Sequence, residues 1–279
     1  MHRININENE INKLKHFKTE DFNTESKLYT MDNLMYKIFF DNSIHIETKE
    51  QIINYLLEQN LNCKNIILPK NKIFINNIFK GYTMDYVQNS SSISSFVNDN
   101  NSNFSLEKRK KFMLELNNSI KEIHKANMYY GDIHQGNIII DNFDLYLIDI
   151  DSLRINNISE HLMSLYRLKE VSSSNTKKEE NFKTDIIKMN IILLSLLYQA
   201  DFELLYMRNG LKFLRDIIDA LYLPNDIAKE FKNNLNLELQ PKFLSDKILN
   251  LSKYENSKIN EDSTKLKKLI NKKYHKFYS

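Results

Sequence analysis

The stretch from Met128 to Ser152, MYYGDIHQGNIIIDNFDLYLIDIDS, concentrates residues whose side chains could do chemistry. Asp132 and Asn137 stand five positions apart, and the apolar run after Asn137 predicts a short hairpin whose return strand ends at Asp149. The hairpin would bring these three oxygen-bearing side chains together at its mouth. Oxygen ligands in this arrangement suit Mg²⁺, which keeps several waters and is shared with substrate phosphates. The pattern therefore predicts phosphoryl transfer, in which the protein positions groups and neutralises charge.

The same loop carries Gly131 and Gly136, two of only four glycines in the chain. We expect them to bracket a backbone that turns tightly beside phosphates, where a Cβ atom would limit the available φ and ψ angles. The alternative is an ordinary polar turn between a helix and a strand, because aspartate, glycine and asparagine are common in turns. The spacing of the two aspartates and the asparagine, between a helical pattern and a hairpin pattern, favours the phosphate-binding interpretation.

Charge and cysteine content limit the function classes. The 39 basic and 36 acidic residues leave a net charge of +3, which predicts no specific nucleic-acid partner. Cys63 is the only cysteine, so no internal disulfide can form, and the N-terminal residues lack the apolar stretch of a secretory signal. The longest apolar region, residues 186–198, is shorter than the roughly 20 residues that span a bilayer. We therefore expect a cytoplasmic protein without a transmembrane segment.

Strand patterns dominate the first 90 residues. Residues 27–40 carry two β-type runs around a turn at Asp32-Asn33, and residues 65–87 predict a hairpin and a further strand. Between them, residues 48–60 place apolar side chains at helical spacing. The pattern predicts a small antiparallel sheet with one main helix.

Helical patterns dominate the remainder of the chain. Residues 89–104 are rich in serine and asparagine and mark the boundary between two predicted lobes, residues 1–88 and 89–279. A long amphipathic helix follows this boundary, and the apolar residues 186–198 predict a buried helix. Residues 265–279 predict a basic amphipathic helix, a type that can bind membranes or acidic partners. We expect it to pack on the second lobe with its lysines in solvent.

With these elements around it, the loop resembles the catalytic loop of the protein-kinase-like superfamily, which includes protein kinases and the aminoglycoside and choline kinases. That loop has the sequence H-R-D-L-x-x-x-N in protein kinases and H-G-D-L-H-x-G-N in the small-molecule branch, and this chain has YYGDIHQGN. The resemblance implies that Asp132 is the catalytic aspartate and that Asn137 binds metal. The D-F-G motif corresponds to DID, which implies Asp149 as the principal Mg²⁺ ligand, with Asp151 in place of the glycine.

Two segments resemble the nucleotide-binding lobe of these kinases. LMYKIF resembles the V-A-I-K strand, which implies that Lys37 holds the α- and β-phosphates of ATP. In the family, a glutamate on the following helix pairs with this lysine. Three glutamates could take that place here, namely Glu47, Glu50 and Glu58, and we choose Glu50. KGYTMDYV resembles the strand that links the lobes, which implies that Asp85 and Val87 bind adenine through backbone groups and that Met84 faces the back of the pocket. The alternative for KGYTMDYV is a plain amphipathic strand.

A fourth segment resembles protein kinases alone. KTDIIKMNIILLSLLY is similar to the helix that begins with a buried aspartate, which implies that Asp185 braces the backbone of the catalytic loop. The chain also departs from the family. Residues 1–80 contain no glycine, so the segment FNTESKLYT, residues 22–30, would cover the phosphates without a glycine-rich loop or leave them uncovered. Tyr130 replaces the usual histidine of the loop, and His134 replaces the protein-kinase lysine, as in the small-molecule branch.

The sequence therefore predicts an α+β, bilobal protein-kinase-like fold and an enzyme that transfers phosphoryl groups from ATP to a hydroxyl acceptor with Mg²⁺, or with Mn²⁺ in its place. Asp185 favours a bacterial-type serine/threonine protein kinase-like enzyme, whereas the aminoglycoside-phosphotransferase-like loop makes a small-molecule kinase the alternative. A pseudokinase that binds a partner without catalysis is a further alternative. The presence of all four of Lys37, Asp132, Asn137 and Asp149 argues against it. Nucleotidyl transfer on the same fold is another alternative that the sequence leaves open.

Overall fold

The computed structural model describes residues 3–18, 25–43, 45–59, 61, 63–98, 104–159, 168, 170, 181–244 and 256–274. It confirms the predicted α+β class, because the N-terminal part is built around one sheet and the C-terminal part is mostly helical. Among the helices in these ranges, none is long and apolar enough to cross a membrane.

The larger sheet consists of six strands, namely β1 (Arg3–Asn5), β2 (Lys15–Phe17), β3 (Ser26–Met31), β4 (Leu34–Phe39), β5 (Pro69–Ile75) and β6 (Ile78–Asp85). Their order across the sheet is β1-β5-β6-β4-β3-β2. Neighbouring strands are antiparallel except β1 and β5, which are parallel. The sheet is therefore mixed, whereas the sequence predicted an antiparallel one.

The β3–β4 hairpin turns at Asp32-Asn33 as the sequence predicts, and Asp32 has a φ of 53°, a left-handed conformation that aspartate tolerates in tight turns. The further strand that we expected within residues 65–87 does not form in this fully described stretch, which contains only β5 and β6. Ile66 instead makes an isolated bridge to Leu147, so the chain contacts the hairpin after Asn137 (the catalytic hairpin, residues 138–147) just before β5 begins.

Two helices accompany the sheet, α1 (Glu8–Ile11) and α2 (Ile46–Glu58). Helix α2 buries Ile52, Ile53 and Leu56, which lie on one face because their spacing follows the 3.6-residue period. It packs against β5 and also against the short 3-10 turn Ile150–Ser152, which lies in the second half of the chain. Helix α2 thus contacts both the sheet and the segment that carries the DID motif.

The second half of the chain is built from helices and short strands. The helices are α3 (Ile93–Asn98), α4 (Leu106–Lys125), α5 (Phe182–Tyr198), α6 (Phe202–Ala220), α7 (Asn225–Asn234) and α8 (Asn256–Tyr274). The strands are β7 (Ser91–Ser92), β8 (Met128–Tyr129), β9 (Ile138–Ile140), β10 (Leu145–Leu147) and β11 (Arg154–Ile155). They form a three-stranded sheet, β10-β9-β7, and a two-stranded sheet, β11-β8.

Helix α5 is the centre of this helical part. Every residue from Thr184 to Tyr198 is buried, which explains why its sequence is apolar on all sides. It contacts α4, α6, α7 and α8. Its N-terminus is fixed by a capping box, in which Asn181 accepts from the Thr184 amide at 3.2 Å and Thr184 Oγ1 accepts from the Asn181 amide at 2.9 Å. The first turn of α5 is therefore held firmly.

Part of the polar segment 89–104 forms regular structure. Its residues 91–98 form β7, which pairs with β9, and α3, which buries three apolar side chains, Ile93, Phe96 and Val97. The segment therefore packs onto the catalytic hairpin and is not a plain linker where the structure describes it. At the other end of the chain, Leu266 and Ile270 of α8 are buried, whereas residues 275–279 of the predicted basic helix lie outside the described residues.

Strands β4 and β6 approach each other closely beside Lys37. Gly81 of β6 has a φ of +156°, and a Cβ atom built on it would lie 1.9 Å from the backbone oxygen of Lys37. Real side chains do not tolerate such a contact with backbone atoms, so only glycine fits at this point of the sheet.

Candidate active site

The catalytic loop connects β8 to β9 and folds around a 3-10 turn at Gln135–Asn137. The Asn137 side-chain amide donates to the backbone oxygen of Asp132 at 3.1 Å and to its carboxylate at 3.4 Å. The backbone oxygen of Asn137 accepts from the amide of Ile148, next to Asp149, at 3.1 Å. The structure therefore brings Asp132 and Asn137 into contact and places Asp149 at the end of the adjacent strand, as the hairpin pattern predicts.

Helix α5 holds the start of this loop through Asp185. Its carboxylate is fully buried and accepts from the Tyr130 amide at 2.6 Å and from the Gly131 amide at 2.8 Å. His124 Nε2 lies 3.0 Å from the same carboxylate. One turn later on α5, Lys188 Nζ donates to the Gly131 carbonyl at 2.7 Å. Both polar groups of Gly131 are thus bound by one helix.

The two loop glycines differ in conformation. Gly131 has a φ of +73°, and a Cβ atom there would lie 3.0 Å from Cγ of Arg154, so the position favours glycine for two reasons. Gly136 lies inside the 3-10 turn and is not among the residues with positive φ. Its amide donates to Nδ1 of His134 at 3.1 Å. The expectation that both glycines need unusual φ angles is therefore wrong for Gly136, because a 3-10 turn is open to other residues.

Tyr130 joins the loop to the strand that carries Asp149. Its side chain is buried, and its hydroxyl donates to the backbone oxygen of Ile148. Burial raises the pKa of the Tyr130 hydroxyl well above its usual value, and the nearby carboxylates of Asp149 and Asp132 raise it further. The hydroxyl therefore keeps its proton and remains a donor.

Lys37 lies on β4 with its side chain buried, and its ammonium group faces the DID motif. Its Nζ contacts Asp149 Oδ1 and donates to Asp151 Oδ1 at 3.0 Å. Burial lowers the pKa of Lys37, but the carboxylates of Asp149 and Asp151 outweigh burial and raise it well above the ordinary value. Lys37 is therefore a permanent positive charge beside the predicted metal ligand.

A second lysine reaches the same cluster from α2. Lys49 Nζ lies 3.3 Å from Asp151 Oδ2 and 2.7 Å from Glu25, a residue that immediately precedes β3. Asp151 is fully buried and bridges the two lysines with its two oxygens. Burial raises the pKa of Asp151, but the charges of Lys37 and Lys49 outweigh burial and hold it below the usual range. Asp151 is therefore ionised.

The structure does not place Glu50 at Lys37. Glu50 Oε1 accepts from Lys72 of β5 at 3.2 Å, whereas Lys37 contacts Asp149 and Asp151. The reason is the orientation of α2: position 49 falls on the helix face that turns toward the DID motif, and position 50 faces β5. Glu50 was our choice of partner for Lys37, and this geometry contradicts that pairing.

The three residues that we expected at adenine lie around the end of β6. Met84 is buried in an apolar cluster, and the partly buried side chains of Ile148 and Val87 pack against this cluster. Asp85 is exposed, and its carboxylate pairs with Lys70 at 2.5 Å. The side chain of Asp85 thus lies at the surface. The phosphate-covering segment 22–30 is described only from Glu25 onward.

Asn137 and Asp149 have the chemistry of a magnesium pair. Because the Asn137 amide nitrogen donates to Asp132, its Oδ1 is the atom that can bind a cation. Together with a carboxylate oxygen of Asp149 it would supply two oxygen ligands, the number at which Mg²⁺ is usually shared with phosphates and waters. No cluster of three or more His, Cys, Asp or Glu side chains suited to a metal occurs in the described ranges. The residues present fit a metal shared with a nucleotide.

Sequence reasoning missed the roles of Lys49, Asp151 and Lys188. A signal existed for Lys49, because it stands three, four and seven positions before the buried Ile52, Ile53 and Leu56 and so belongs to the apolar face of α2. A lysine on such a face needs a buried carboxylate. The aspartate that replaces the glycine of the D-F-G motif was the available partner.

Comparison with known proteins agrees with this site. The family model described as lipopolysaccharide core biosynthesis protein (WaaY) matches residues 80–162, less than a third of the chain. The matched segment contains most of β6, the catalytic loop and the DID motif. No curated protein matches the chain. The match and the α+β architecture together confirm the resemblance on which the sequence analysis rested: the chain has a protein-kinase-like fold and is a kinase, a phosphotransferase that acts on a hydroxyl group.

Proposed function

We propose that the protein transfers the γ-phosphoryl group of ATP to a sugar hydroxyl, with Mg²⁺ as the metal. The observation that carries the proposal is the arrangement around one hairpin: Asn137 contacts Asp132, and Asp149 follows on the next strand with Lys37 against it. Phosphoryl transfer needs an acceptor-orienting carboxylate, a metal site and a fixed cation, and these four residues supply them.

Each residue has a distinct proposed role. Asp132 orients the acceptor hydroxyl and accepts its proton, since its carboxylate is partly exposed at the mouth of the hairpin. Lys37 holds the α- and β-phosphates, while Asn137 and Asp149 bind the metal. Mg²⁺, when bound with ATP, neutralises phosphate charge. Met84 and the backbone of Asp85 and Val87 form the adenine site, and Gly131, Gly136 and Asp185 shape the loop.

We further propose that residues 1–88 and 89–279 act as two lobes that bind ATP between them, as in other enzymes with this fold. The support is that β4 and β6 of the sheet carry the ATP-binding candidates Lys37 and Met84, whereas Asp132, Asn137 and Asp149 belong to the second half of the chain. A cytoplasmic location follows from the proposed use of ATP.

The acceptor is inferred from the family match. WaaY is a family of lipopolysaccharide core heptose kinases, and the matched residues include the catalytic loop, which contacts the acceptor in this fold. A serine or threonine of a protein is the second candidate. It is supported by Asp185, which is buried and binds two backbone amides of the loop as in the protein-kinase helix.

Incubation of the purified protein with γ-labelled ATP and Mg²⁺ separates these acceptors. The panel contains heptoses and other free sugars, sugar-bearing lipids, and serine and threonine peptides. Label on a sugar supports the proposal, and label on peptides alone refutes it in favour of the second candidate. A parallel reaction with α-labelled ATP tests for nucleotidyl transfer, which would transfer the α-label as well.

Asp132→Asn is the decisive variant. It should abolish transfer while it leaves ATP affinity largely intact, because it removes the acceptor-orienting group and no phosphate contact. Asp41→Asn is the matched control, since Asp41 is an exposed aspartate that pairs with Lys80, away from the catalytic loop in sequence. Unchanged turnover in Asp132→Asn would refute the assignment of the catalytic residue.

A further inference from the structure

The cluster of Lys37, Lys49 and Asp151 contains more charge than phosphate binding requires. Two lysines and one aspartate are buried together, and they come from β4, α2 and the DID motif. Only Lys37 has a place in the proposed reaction. Burial of a charged group without a partner is unfavourable, so the two remaining charges call for a physical reason.

The geometry of Asp151 supplies one. Its Oδ1 accepts from Lys37 at 3.0 Å and its Oδ2 accepts from Lys49 at 3.3 Å, so this one carboxylate contacts both ammonium groups, in addition to Asp149 at Lys37 and Glu25 at Lys49. In the kinases that this chain resembles, a glutamate on the helix corresponding to α2 pairs with the catalytic lysine. Here the helix presents a lysine, and the carboxylate comes from the motif itself.

We propose that Asp151 is the carboxylate partner that positions Lys37 for the phosphates, and that Lys49 is a positioning residue that couples α2 to this pair. The polarity of the link is thus reversed relative to the family, with the positive charge on the helix. The inference rests on the proposed ATP-dependent phosphoryl transfer. Lys49 also contacts Glu25 before β3, so the same ammonium group ties the phosphate-covering segment to the motif.

The reversed polarity explains the composition of the DID motif. Without Asp151, Lys37 and Lys49 would lose the carboxylate that lies between them, and their like charges would face one another with Asp149 and Glu25 as the remaining partners. Without Lys49, the second oxygen of Asp151 would lose its partner, and the carboxylate would be free to rotate away from Lys37. The three residues therefore act as one unit, and their substitutions should be non-additive.

Steady-state kinetics of wild type, Lys49→Gln and Lys49→Arg test the inference. Lys49→Gln should reduce kcat/KM for ATP by at least about tenfold, with KM for the acceptor unchanged, because it acts through Asp151 on the phosphate-binding lysine and not on the acceptor-orienting Asp132. Lys49→Arg keeps the charge and should recover most of the activity. A merely structural role would instead reduce the fraction of active enzyme and leave KM for ATP at the wild-type value.

A double variant keeps the test decisive where a single substitution prevents folding. Lys49→Glu combined with Asp151→Gly restores the family's arrangement, with the carboxylate on the helix and glycine in the motif. It should fold and be more active than either single substitution, since each single change leaves like charges together. A double variant that is no better than the single ones would overturn the inference.

Two comparisons separate this inference from its rivals. Lys80→Gln is the matched control, because Lys80 is a sheet lysine whose partner, Asp41, is exposed, and its activity should equal that of wild type. Glu50→Gln should lose less activity than Lys49→Gln. An equal or larger loss would indicate that Glu50, and not Asp151, is the partner of Lys37. If wild type transfers no phosphate, the proposed function fails; if wild type is active and Lys49→Gln has normal KM for ATP, the inference alone fails.

Discussion

The contact between Asp185 and the catalytic loop makes a quantitative prediction. Asp185→Ala removes the acceptor of two buried backbone amides, those of Tyr130 and Gly131. An unsatisfied buried donor costs about 1–3 kcal/mol, so the substitution should lower the free energy of unfolding by about 2–6 kcal/mol. Domains are typically stable by about 5–15 kcal/mol. For most values of the starting stability, a loss of about 2–6 kcal/mol should therefore leave the variant largely folded at low temperature.

Activity should fall beyond what the loss of stability explains. The two amides belong to the residues immediately before Asp132, so their release changes the position of the acceptor-orienting carboxylate. Misplacement of a reacting group by about 1 Å can reduce turnover by about a hundredfold. Asp185→Asn keeps one oxygen for one amide and places a donor against the other, so its loss of stability should be smaller than that of the alanine variant.

Urea unfolding followed by circular dichroism, and phosphoryl transfer per folded molecule, are the two measurements. Asp262→Ala is the matched control, since Asp262 is a buried aspartate on α8 that accepts from the Tyr222 amide at 2.6 Å, in the helical part of the chain. The control should lose stability and keep its activity per folded molecule. An Asp185→Ala protein with wild-type stability, or with wild-type activity per folded molecule, would refute the role of this contact.

Two further predictions concern the metal and pH. Asp149→Ala should weaken Mg²⁺-dependent ATP binding in calorimetry, because it removes an oxygen ligand, and equal ATP affinity with and without Mg²⁺ in the wild type would contradict this role. Burial raises the pKa of Glu203 from its ordinary value of 4.5 to about 7, although the hydrogen bond from the Gln135 amide lowers it. Between pH 4.5 and about 7, the unfolded chain therefore releases a proton that the folded chain keeps. The free energy of unfolding consequently falls as the pH rises through this range. Glu203→Gln should therefore raise the free energy of unfolding at pH 8 by up to about 3 kcal/mol relative to wild type and have little effect at pH 4, and an equal effect at both values would show that ionisation is not the cause.

Local patterns were sufficient for most of the fold. The turn at Asp32-Asn33, the apolar spacing of α2 and the all-round apolar sequence of α5 each specify an element through short-range geometry. The parallel pairing of β1 with β5 could not be predicted in this way, because it joins residues that are about 70 positions apart and β1 is only three residues long. Such a pairing is decided by tertiary packing.

The same distinction holds for the site. Asp132, Asn137 and Asp149 lie on one hairpin, so their spacing predicts their proximity. The partner of Lys37 depends on how α2 rotates against the DID motif, and neighbouring helix positions differ by about 100° in direction. Glu50 and Lys49 are adjacent in sequence and therefore point to different neighbours, Lys72 and Asp151. Predicting which of the two faces the DID motif required the position of each residue relative to the apolar face of α2.

The close approach of Gly81 to Lys37 has a consequence for how the gene tolerates change. Every other amino acid carries a Cβ atom, and that atom would lie 1.9 Å from the Lys37 backbone oxygen, so no missense substitution at this codon is conservative. Relief of the collision would move β6 away from β4 and shift the strand that bears the phosphate-binding lysine. In a saturation-mutagenesis library selected for activity, position 81 should therefore be depleted of all substitutions equally, whether they are small, polar or apolar. Ordinary hydrophobic core positions, by contrast, lose only the substitutions that change size or polarity.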